Sequence, residues 1–424
     1  MFGYAHTGAL DMERTGYFDT LETRSAEERE MALAAALRAQ ITHAKTNAPF
    51  FAEWLKDVDP AAVTGRAALA RLPVLRKGNL GAVQKKKPPM GGLLGVPLAQ
   101  VQHIFMSPGP IFEIDTAEKD YFRGARAMYA AGFRAGDIVH NTFSYHLTPA
   151  GIMMETAARA LGCIVVPGGI GQTELQLDAI EAIRPVGYVG TPSFLKILLE
   201  KAVELGKDIS SIRNAFVGAE ALPPSLRQMF RDYGISTLQS YGTADLGTIA
   251  YESQALEGMI VDEGVVVEIV RPGTGDLVAD GDVGEVVVTT FSKAYPLVRF
   301  GTGDLSAVLA GISPCGRTNM RIKGWMGRAD QRTKVKGMFV DPEQIALIAR
   351  RHSELGRLRL VVDWVDQQDV MTLKAELAGG SSDLAKSVED NVQSVCKVRG
   401  RVEFVAPGSL PNDGKVIDDV RKYT

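Results

Sequence analysis

Short apolar runs alternate with amphipathic stretches through the middle of the chain. Between about residues 100 and 250, runs rich in β-branched residues are separated by segments whose apolar residues recur every three or four positions, which is the periodicity of a helix. Strands that alternate with helices in this way form parallel sheets covered on both faces. The pattern predicts strands at 101–105, 138–142, 162–166, 186–190, 214–217 and 236–239, and helices near 25–57, 117–132, 149–161, 173–183, 192–205 and 223–233.

The character of the sequence changes after this region. Residues 258–310 are rich in strand-forming residues separated by glycine turns, which predicts an antiparallel β subdomain. Beyond about residue 330 a further unit is expected, with helices at 341–352 and 380–398 and strands at 357–365 and 400–405. We therefore predict an α/β fold with two domains. The first, residues 1–329, is a large N-terminal domain with mixed or parallel sheets covered by helices, and the second, residues 330–424, is a small α+β domain.

Composition narrows the class of protein. The 424 residues include 47 Lys plus Arg and 50 Asp plus Glu, a formal net charge of -3, so we expect no nucleic-acid partner, which would require a positive field. The apolar runs are too short for a membrane span and no signal peptide is visible. The three cysteines form no CxxC pair, and no histidine pair has metal-ligand spacing. These features predict a cytoplasmic enzyme that has neither a membrane span nor a catalytic zinc ion.

Three loops after predicted strands carry candidate chemistry, each beside a plainer interpretation. The segment Phe105–Pro110 follows a strand and precedes a predicted helix, where a Ser/Gly turn can offer backbone N–H groups to a phosphate or simply turn the chain. Pro167–Gly171 lacks the last glycine of a GxGxxG motif, which favours an ordinary strand-to-helix loop. Ser240–Gly247 places an aromatic ring, a hydroxyl and a carboxylate on one loop, suited to a base, a phosphate and Mg²⁺, or to a plain turn.

Three later segments have the same ambiguity. Arg299–Asp304 ends in an acid that can accept both hydroxyls of a ribose or cap its own turn. Gly327–Asp330 falls at the expected domain boundary, where it fits either a hinge or a solvated linker. The turn Leu410–Lys415 presents one lysine near the end of the chain, for which a solvated lysine is the default.

The order of these motifs resembles that of adenylate-forming enzymes, in particular the phenylacetate–CoA ligase family. The resemblance extends from about residue 30 to the end of the chain. A degenerate phosphate loop comes first, and the family signatures then follow in order. They are Gly218-Ala219-Glu220, Tyr241-Gly242-Thr243-Ala244-Asp245, Gly301-Thr302-Gly303-Asp304, Gly327-Arg328-Ala329-Asp330 and Pro411 to Lys415.

The resemblance implies a two-step reaction. A carboxylic acid is activated with ATP and Mg²⁺ to an acyl-adenylate, and CoA then attacks the acyl carbon after the small C-terminal domain has reoriented. It implies that Asp330 is the hinge of that motion and that Tyr145 and His146 lie in the pocket for an aromatic acid. The implied ATP- or AMP-binding residues are Ser107, Gly109, Gly218, Ala219, Glu220, Tyr241, Gly242, Asp304 and Arg328.

Three residues are implied to take part in the chemistry. Thr243 would lie near the α-phosphate, Asp245 would hold Mg²⁺, and Lys415 would approach the carboxylate and the α-phosphate during adenylation. An ammonium group suits this last role because negative charge grows on the reacting oxygens.

The chain also departs from the family pattern. Its phosphate loop, Met106–Pro110, lacks the usual threonine pair and lysine, the hydroxyl before the metal ligand is replaced by Ala244, and Asp245 replaces the usual glutamate. Lost phosphate contacts predict weaker ATP binding. Of the Cys/His cluster that binds a structural zinc in some relatives only Cys315 has a counterpart, so no structural zinc is expected.

The favoured interpretation is an AMP-forming aryl or arylacetic acid–CoA ligase. Two alternatives stay open at this point: an adenylating or acyl-transfer enzyme whose acceptor is not CoA, and a catalytically idle, ligand-binding relative. The sequence identifies neither the acid nor the oligomeric state, for which a homodimer is the commonest soluble assembly.

Overall fold

The computed structural model describes residues 16–107, 110–329, 331–335, 338–365 and 368–421. Its contacts divide the chain into two compact units, which are described separately below. The first unit comprises Met1–Val267, Val288–Phe300 and Leu309–Gly324, and the second comprises Glu268–Val287, Gly301–Val308 and Trp325–Thr424, as far as these ranges are described.

The helices and strands have the following bounds. The helices are α1 (Ala26–Asn47), α2 (Pro49–Trp54), α3 (Arg66–Leu69), α4 (Lys77–Lys86), α5 (Ala125–Ala130), α6 (Ala150–Leu161), α7 (Thr173–Ile183), α8 (Pro192–Leu205), α9 (Pro224–Asp232), α10 (Pro342–Arg351) and α11 (Ser382–Cys396), with 3₁₀ turns at Thr20–Thr23, Pro60–Ala62 and Leu98–Gln100. The strands are β1 (Leu75–Arg76), β2 (Val101–Ser107), β3 (Ile111–Thr116), β4 (Ile138–Asn141), β5 (Ile164–Pro167), β6 (Gly187–Gly190), β7 (Asn214–Val217), β8 (Ser236–Thr243), β9 (Gly247–Tyr251), β10 (Met259–Val261), β11 (Val265–Val270), β12 (Gly284–Thr290), β13 (Phe300–Ser306), β14 (Val308–Leu309), β15 (Arg321–Ile322), β16 (Thr333–Val335), β17 (Met338–Val340), β18 (Leu358–Val365), β19 (Gln368–Glu376), β20 (Arg401–Val405) and β21 (Ile417–Asp419).

A nine-stranded sheet with the order β14-β15-β10-β9-β8-β7-β6-β4-β5 is the largest of the described sheets. Strands β5, β4, β6, β7 and β8 pair in parallel, which confirms the α/β prediction for this region. From β8 onward, β9, β10 and β15 pair antiparallel, so the sheet is mixed. The strand-rich segment 258–310 contributes to two sheets, because β10 lies in this one while β11, β12 and β13 join a four-stranded sheet with the order β1-β13-β12-β11.

Helices α7 and α8 show why the helix predictions were accurate here. Both begin and end where the periodicity of the sequence indicates, at 173–183 and 192–205. Thr191 caps α8 by accepting the backbone N–H of Phe194, Pro192 fits the first turn, and Gly206 ends the helix in the left-handed region. Their apolar faces form one buried cluster that includes Leu177, Leu195 and Leu198.

Three sequence predictions are corrected. The helix expected near 117–132 is confined to α5, Ala125–Ala130. The helix expected over 25–57 is split at Ala48, because Pro49 cannot continue α1 and starts α2 instead. The strand at 101–105 does not join the parallel sheet. It is β2, which pairs antiparallel with β3, so the phosphate-loop segment 105–110 connects two strands of a hairpin rather than a strand and a helix.

The small α+β fold of the last hundred residues lies in the second unit. Its sheet has the order β20-β19-β18-β21, with α10 and α11 packed against a core that includes Leu360, Leu373 and Val388. The predicted helices and strands are confirmed to within two residues at their ends. The sequence analysis missed β19, although Met371, Leu373 and Ala375 alternate as buried residues along it, which is the pattern of a half-buried strand.

A tight hairpin between β8 and β9 carries Asp245. A Cβ atom on Gly242 would lie 2.5 Å from the carbonyl oxygen of Gly247, and Gly247 itself has a φ of +71°. The two strands can approach this closely only because both positions are glycine. The close approach fixes the short connection from which the Asp245 side chain projects.

We expect Gly242→Ala to destabilise the protein by about 1–3 kcal/mol, because the added methyl group has no space against the backbone of Gly247. Urea unfolding followed by circular dichroism measures the change. Gly78→Ala is a matched control: no atom lies within 4 Å of its added Cβ, and alanine is favoured over glycine inside α4. A Gly242→Ala protein as stable as wild type would contradict this account of the hairpin.

Candidate functional site

The carboxyl ends of the parallel strands bring several predicted site residues to one edge of the large sheet. Adjacent strands stay in register there, with Asn141 opposite Val189, Gly190 opposite Val217, and Val217 opposite Gln239. The loops that follow β4, β7 and β8 therefore leave from the same edge, the position where open α/β sheets bind ligands. These loops hold Tyr145, His146, Gly218, Ala219, Glu220 and Asp245, and the end of β8 itself holds Tyr241, Gly242 and Thr243.

The two segments predicted to bind the nucleotide base are neighbours. Gly218 is buried, and the nearest atom to a Cβ placed on it is the Oγ of Ser240, at 3.4 Å. Tyr241 is also buried, whereas Ala219 and Glu220 are exposed. The Glu220 carboxylate accepts the backbone N–H of Ser193 at 3.3 Å. This contact ties the loop after β7 to the start of α8.

The predicted acid pocket contains one anchored side chain and one exposed side chain. The hydroxyl oxygen of Tyr145 accepts the side-chain amide of Asn141 at 2.8 Å. Burial raises the pKa of Tyr145 well above its usual value, and the nearby Glu155 adds to that rise. His146 is exposed, and its backbone N–H donates to the hydroxyl of Ser144 at 3.1 Å.

Asp245 is buried and forms an ion pair that the sequence analysis did not predict. Its side chain has no accessible surface, and its Oδ2 accepts the ammonium of Lys77 at 2.6 Å. Its Oδ1 is buried and has no hydrogen-bond partner. Lys77 is the first residue of α4, where the helix dipole disfavours a cation. The sequence analysis predicted no helix here, so it offered no signal for this pair.

A second buried carboxylate, Glu113 on β3, was also missed. It is 1% exposed, its Oε1 accepts the hydroxyl of Ser107, and its Oε2 is buried without a hydrogen-bond partner. Burial raises the pKa of the Glu113 carboxyl to about 7; the charge of Asp245 adds to the rise, while the Ser107 hydroxyl and Lys77 oppose it. An acid within the apolar run 111–114 was the sequence signal.

Helix α4 holds these groups in place through Gln84. The side-chain amide of Gln84 donates to the carbonyl of Phe112 at 2.6 Å, and its oxygen accepts the Phe112 backbone N–H at 2.9 Å. Lys77 and Gln84 are seven residues apart on α4, about two turns, so they share one face. The helix is therefore fixed against the strand that carries Glu113. Gln84 also donates to the hydroxyl of buried Tyr295 at 3.2 Å.

In the second unit, Asp304 and Arg328 are direct partners. The Oδ1 of Asp304 accepts Nη1 of Arg328 at 3.0 Å and the indole N–H of Trp325 at 3.1 Å. The backbones of Asp304 and Arg328 also form a β-bridge. Asp304 is 7% exposed, so its carboxylate is held in a fixed position within β13.

Lys415 lies in the same unit as this pair. Arg328 and Lys415 line one surface depression of about 370 Å³. The ammonium of Lys415 contacts Asp418 Oδ1 at 2.9 Å and its side chain is 49% exposed. Gln331 donates to the carbonyl of Gly414 at 3.0 Å and accepts the N–H of Val416 at 2.6 Å, which fixes the backbone on both sides of Lys415.

Some sequence predictions fall outside these observations. Gly109 and Asp330 lie outside the described residues. Thr243 is described, and its hydroxyl oxygen accepts the backbone N–H of Leu246 at 3.2 Å.

In the described part of the chain, no group of three or more His, Cys, Asp or Glu side chains could hold a metal ion, and no helix is long and apolar enough to cross a bilayer.

We expect Glu113 to make the metal-free protein less stable as the pH rises from about 4.5 to 7. The folded protein keeps the Glu113 proton up to about pH 7, whereas the unfolded chain loses it near the ordinary value of 4.5, so the free energy of unfolding falls across this window. Glu113→Gln removes that loss. We therefore compare the free energy of unfolding of Glu113→Gln with that of wild type, measured with urea at each pH. The difference should shift in favour of the variant by roughly 2–3 kcal/mol between pH 5 and pH 8.

Glu118→Gln is the control for this measurement, since Glu118 follows the same strand but is exposed. Its stability relative to wild type should be the same at both pH values. Parallel pH profiles for wild type and Glu113→Gln would show that the buried carboxyl does not titrate as described.

Comparison with known proteins places the chain among enzymes that form adenylates. The family model of AMP-binding enzymes matches residues 120–292. The chain is 30% identical over 362 residues to the phenylacetate–coenzyme A ligase of Pseudomonas putida, with 81% of each chain covered. It is 28% identical to the phenylacetate–coenzyme A ligase of Aromatoleum evansii over 93% of this chain and 94% of that protein.

A solved structure shares the fold over nearly the whole length. It is 2-hydroxyisobutyryl-CoA ligase in an open conformation, in complex with 2-HIB-AMP and CoA. The TM-score is 0.71 and the identity 24%, over 97% of this chain and 95% of that chain. A likeness at this level of identity establishes the architecture, and function has to be argued from the site.

Proposed function

This chain belongs to the phenylacetate–CoA ligase family, and from that premise we propose that it is an AMP-forming acid–thiol ligase acting on an aromatic or arylacetic acid. The observation that carries the proposal is the extent of the similarity, which covers most of the chain and of two phenylacetate–coenzyme A ligases. ATP and CoA are its co-substrates in this proposal, and the cytoplasm is its proposed location.

The reaction has two steps. A carboxylate oxygen of the acid attacks the α-phosphorus of ATP, which forms an acyl-adenylate and breaks the bond to pyrophosphate. The thiolate of CoA then attacks the acyl carbon, which forms the thioester and releases AMP. In both steps the protein mainly positions the reactants and stabilises charge on oxygen atoms.

We assign the nucleotide contacts from the family motifs, residue by residue. Gly218, Ala219 and Tyr241 would line the adenine, with Glu220 fixing their loop, and Asp304 would accept the ribose hydroxyls beside Arg328. Ser107, with Gly109, would contact the phosphates. The hydroxyl of Thr243 would reach the α-phosphate from the hairpin that Gly242 closes. Tyr145 and His146 would contact the acid.

Asp245 fits a Mg²⁺ ligand. Its Oδ1 is buried without a hydrogen-bond partner, and a carboxylate oxygen is the ligand that Mg²⁺ prefers. The ion, when bound, neutralises charge on the phosphate oxygens. Lys77 occupies the other oxygen of Asp245 and so fixes the direction in which the unpartnered oxygen points.

Lys415 is proposed to act in the first step only. Its ammonium is half exposed and contacts one acid, Asp418, at 2.9 Å, an ion pair of a kind worth about 0–1 kcal/mol. Residues 330–424 would reorient about Asp330 between the two steps, so that Lys415 leaves the phosphate before the thiol attacks.

The direct test of the function is product analysis. We expect the purified protein, given ATP, Mg²⁺, CoA and a panel of benzoic, phenylacetic and indoleacetic acids, to convert at least one acid to its CoA thioester, detected by mass spectrometry. The same incubation without CoA should accumulate acyl-AMP. Acyl-AMP without any thioester would point to a different acceptor, and neither product from a folded protein would refute the proposed ligase.

We expect Lys415→Ala to abolish adenylate formation while leaving thioester formation from a supplied acyl-adenylate close to wild type, because the cation is needed only while charge builds on the carboxylate and phosphate. Single-turnover assays of each step give the two rates. Lys386→Ala is the control, since it removes an exposed lysine of α11 and should leave both steps unchanged. Equal loss of both steps in Lys415→Ala would contradict this role.

A further inference from the structure

Two buried carboxylates in the first unit each keep one oxygen without a partner. We propose that Glu113 is a second protein ligand, beside Asp245, for a divalent cation whose remaining ligands are water and nucleotide phosphate. The inference rests on the proposed function, because the cation is the one that adenylation would use. It assigns a metal-binding role to a residue on β3 that none of the sequence motifs contains.

The hydrogen-bond pattern of the two carboxylates supports a shared ligand. Ser107 donates to Oε1 of Glu113, and Lys77 donates to Oδ2 of Asp245. The other two oxygens, Oε2 of Glu113 and Oδ1 of Asp245, are both buried and both lack a hydrogen-bond partner. A buried carboxylate oxygen left unpaired costs free energy, and native structures rarely tolerate it without a ligand. The charges of Asp245 and Lys77 both act on the Glu113 carboxyl, and a cation bound to the two free oxygens would give each of them a partner.

The charges lead to the same conclusion. With both acids ionised, Lys77 balances only one of the two negative charges. The remaining charge lies on a buried side chain, where an uncompensated charge is strongly unfavourable. Gln84, which is hydrogen-bonded to the main chain of Phe112 and to the hydroxyl of Tyr295, brings no charge to balance it. A divalent cation would remove the deficit and still leave positive charge for phosphate.

The altered phosphate loop supplies the reason for an acid at this position. Residues 106–110 contain no lysine and no threonine, so the loop itself offers few contacts to phosphate. Glu113 is bonded to Ser107 of that loop, and a carboxylate there would repel a triphosphate directly. A cation held by Glu113 and Asp245 converts the repulsion into attraction.

The donor set selects the class of ion. Both free donors are carboxylate oxygens, the ligands of hard cations, and no group of three or more acidic, His or Cys side chains among the described residues could enclose a metal. Mg²⁺ typically binds through one or two carboxylates and keeps its other positions for water and substrate phosphate. Mn²⁺ has a similar preference for oxygen ligands and can be observed directly.

The test is a titration of the metal-free, full-length protein with Mn²⁺ alone, in which the electron paramagnetic resonance signal reports the free ion. We expect wild type to bind one Mn²⁺, and Glu113→Gln to bind it roughly tenfold more weakly or worse. Glutamine has the shape of glutamate and can still accept the Ser107 hydroxyl, and thermal melting verifies that the variant is folded. Asp245→Asn should weaken binding similarly, whereas the exposed-site variant Glu118→Gln should match wild type.

Two results would overturn the inference. One is a wild-type protein that leaves all the Mn²⁺ free, and the other is a Glu113→Gln protein that binds Mn²⁺ as tightly as wild type, which would leave Glu113 as an acceptor for Ser107 only. Because the titration contains neither nucleotide nor acid, its outcome is independent of the product analysis. A failed ligase assay with Glu113-dependent Mn²⁺ binding would refute the proposed reaction and keep the metal site.

The Mg²⁺ dependence of adenylation adds a second readout. Glu113→Gln should raise the Mg²⁺ concentration for half-maximal acyl-AMP formation by a similar factor, with the rate at saturating Mg²⁺ reduced less. An unchanged Mg²⁺ dependence in a variant that still makes acyl-AMP would also overturn the inference.

Discussion

The ion pair between Lys77 and Asp245 is the interaction on which the organisation of the first unit's site depends. Asp245 projects from the short hairpin connection that the close approach of Gly242 and Gly247 allows, and its side chain has no accessible surface. A carboxylate buried in this way must be paired. Lys77 meets that requirement at 2.6 Å from the first turn of α4, so the position of the helix is coupled to the position of the acid.

The coupling extends from α4 to the β2–β3 hairpin. Gln84 makes two hydrogen bonds to the main chain of Phe112, in the manner of a neighbouring strand, and the next residue is Glu113. Helix α4 thus fixes both the Lys77 ammonium that pairs with Asp245 and the strand that carries Glu113. Since buried polar groups are strongly coupled in a low dielectric, a change at any of these residues affects the charge balance of the whole cluster.

The sequence predicted the elements whose signals are local. The bounds of α7 and α8 follow from apolar periodicity, a threonine cap and a terminal glycine, and the strands of the parallel sheet follow from short β-branched runs. It also indicated Tyr241, Asp245, Asp304 and Lys415, because they belong to contiguous motifs. In the structure Asp304 accepts a hydrogen bond from Arg328, and the roles of both residues stay predictions.

Lys77 and Glu113 were not predicted, because each acquires its meaning only from a partner distant in sequence. Lys77 pairs with an acid 168 positions away, and no periodicity encodes such a contact. The hairpin was misjudged for a related reason. Ile111–Thr116 is short and precedes a segment predicted to be helical from residue 117, whereas α5 begins only at Ala125. The pairing of so short a strand with β2 depends on its tertiary surroundings more than on propensity.

The two lysines to which we assign roles, one in each unit, differ in a way that matches the two demands of the proposed reaction. Lys77 is 24% exposed and bonded to an acid with no accessible surface, whereas Lys415 is 49% exposed and bonded to a partly exposed acid. Breaking the first pair would leave a buried charge without compensation, but breaking the second costs about 0–1 kcal/mol because water solvates both groups. A permanent cation is suited to holding a metal ligand in one orientation through both steps. Lys415, whose ion pair is easily broken, is suited to supplying a positive charge that one step needs and the next does not. The two lysines have the same side chain, and the difference in burial of their ion pairs fits them to different roles.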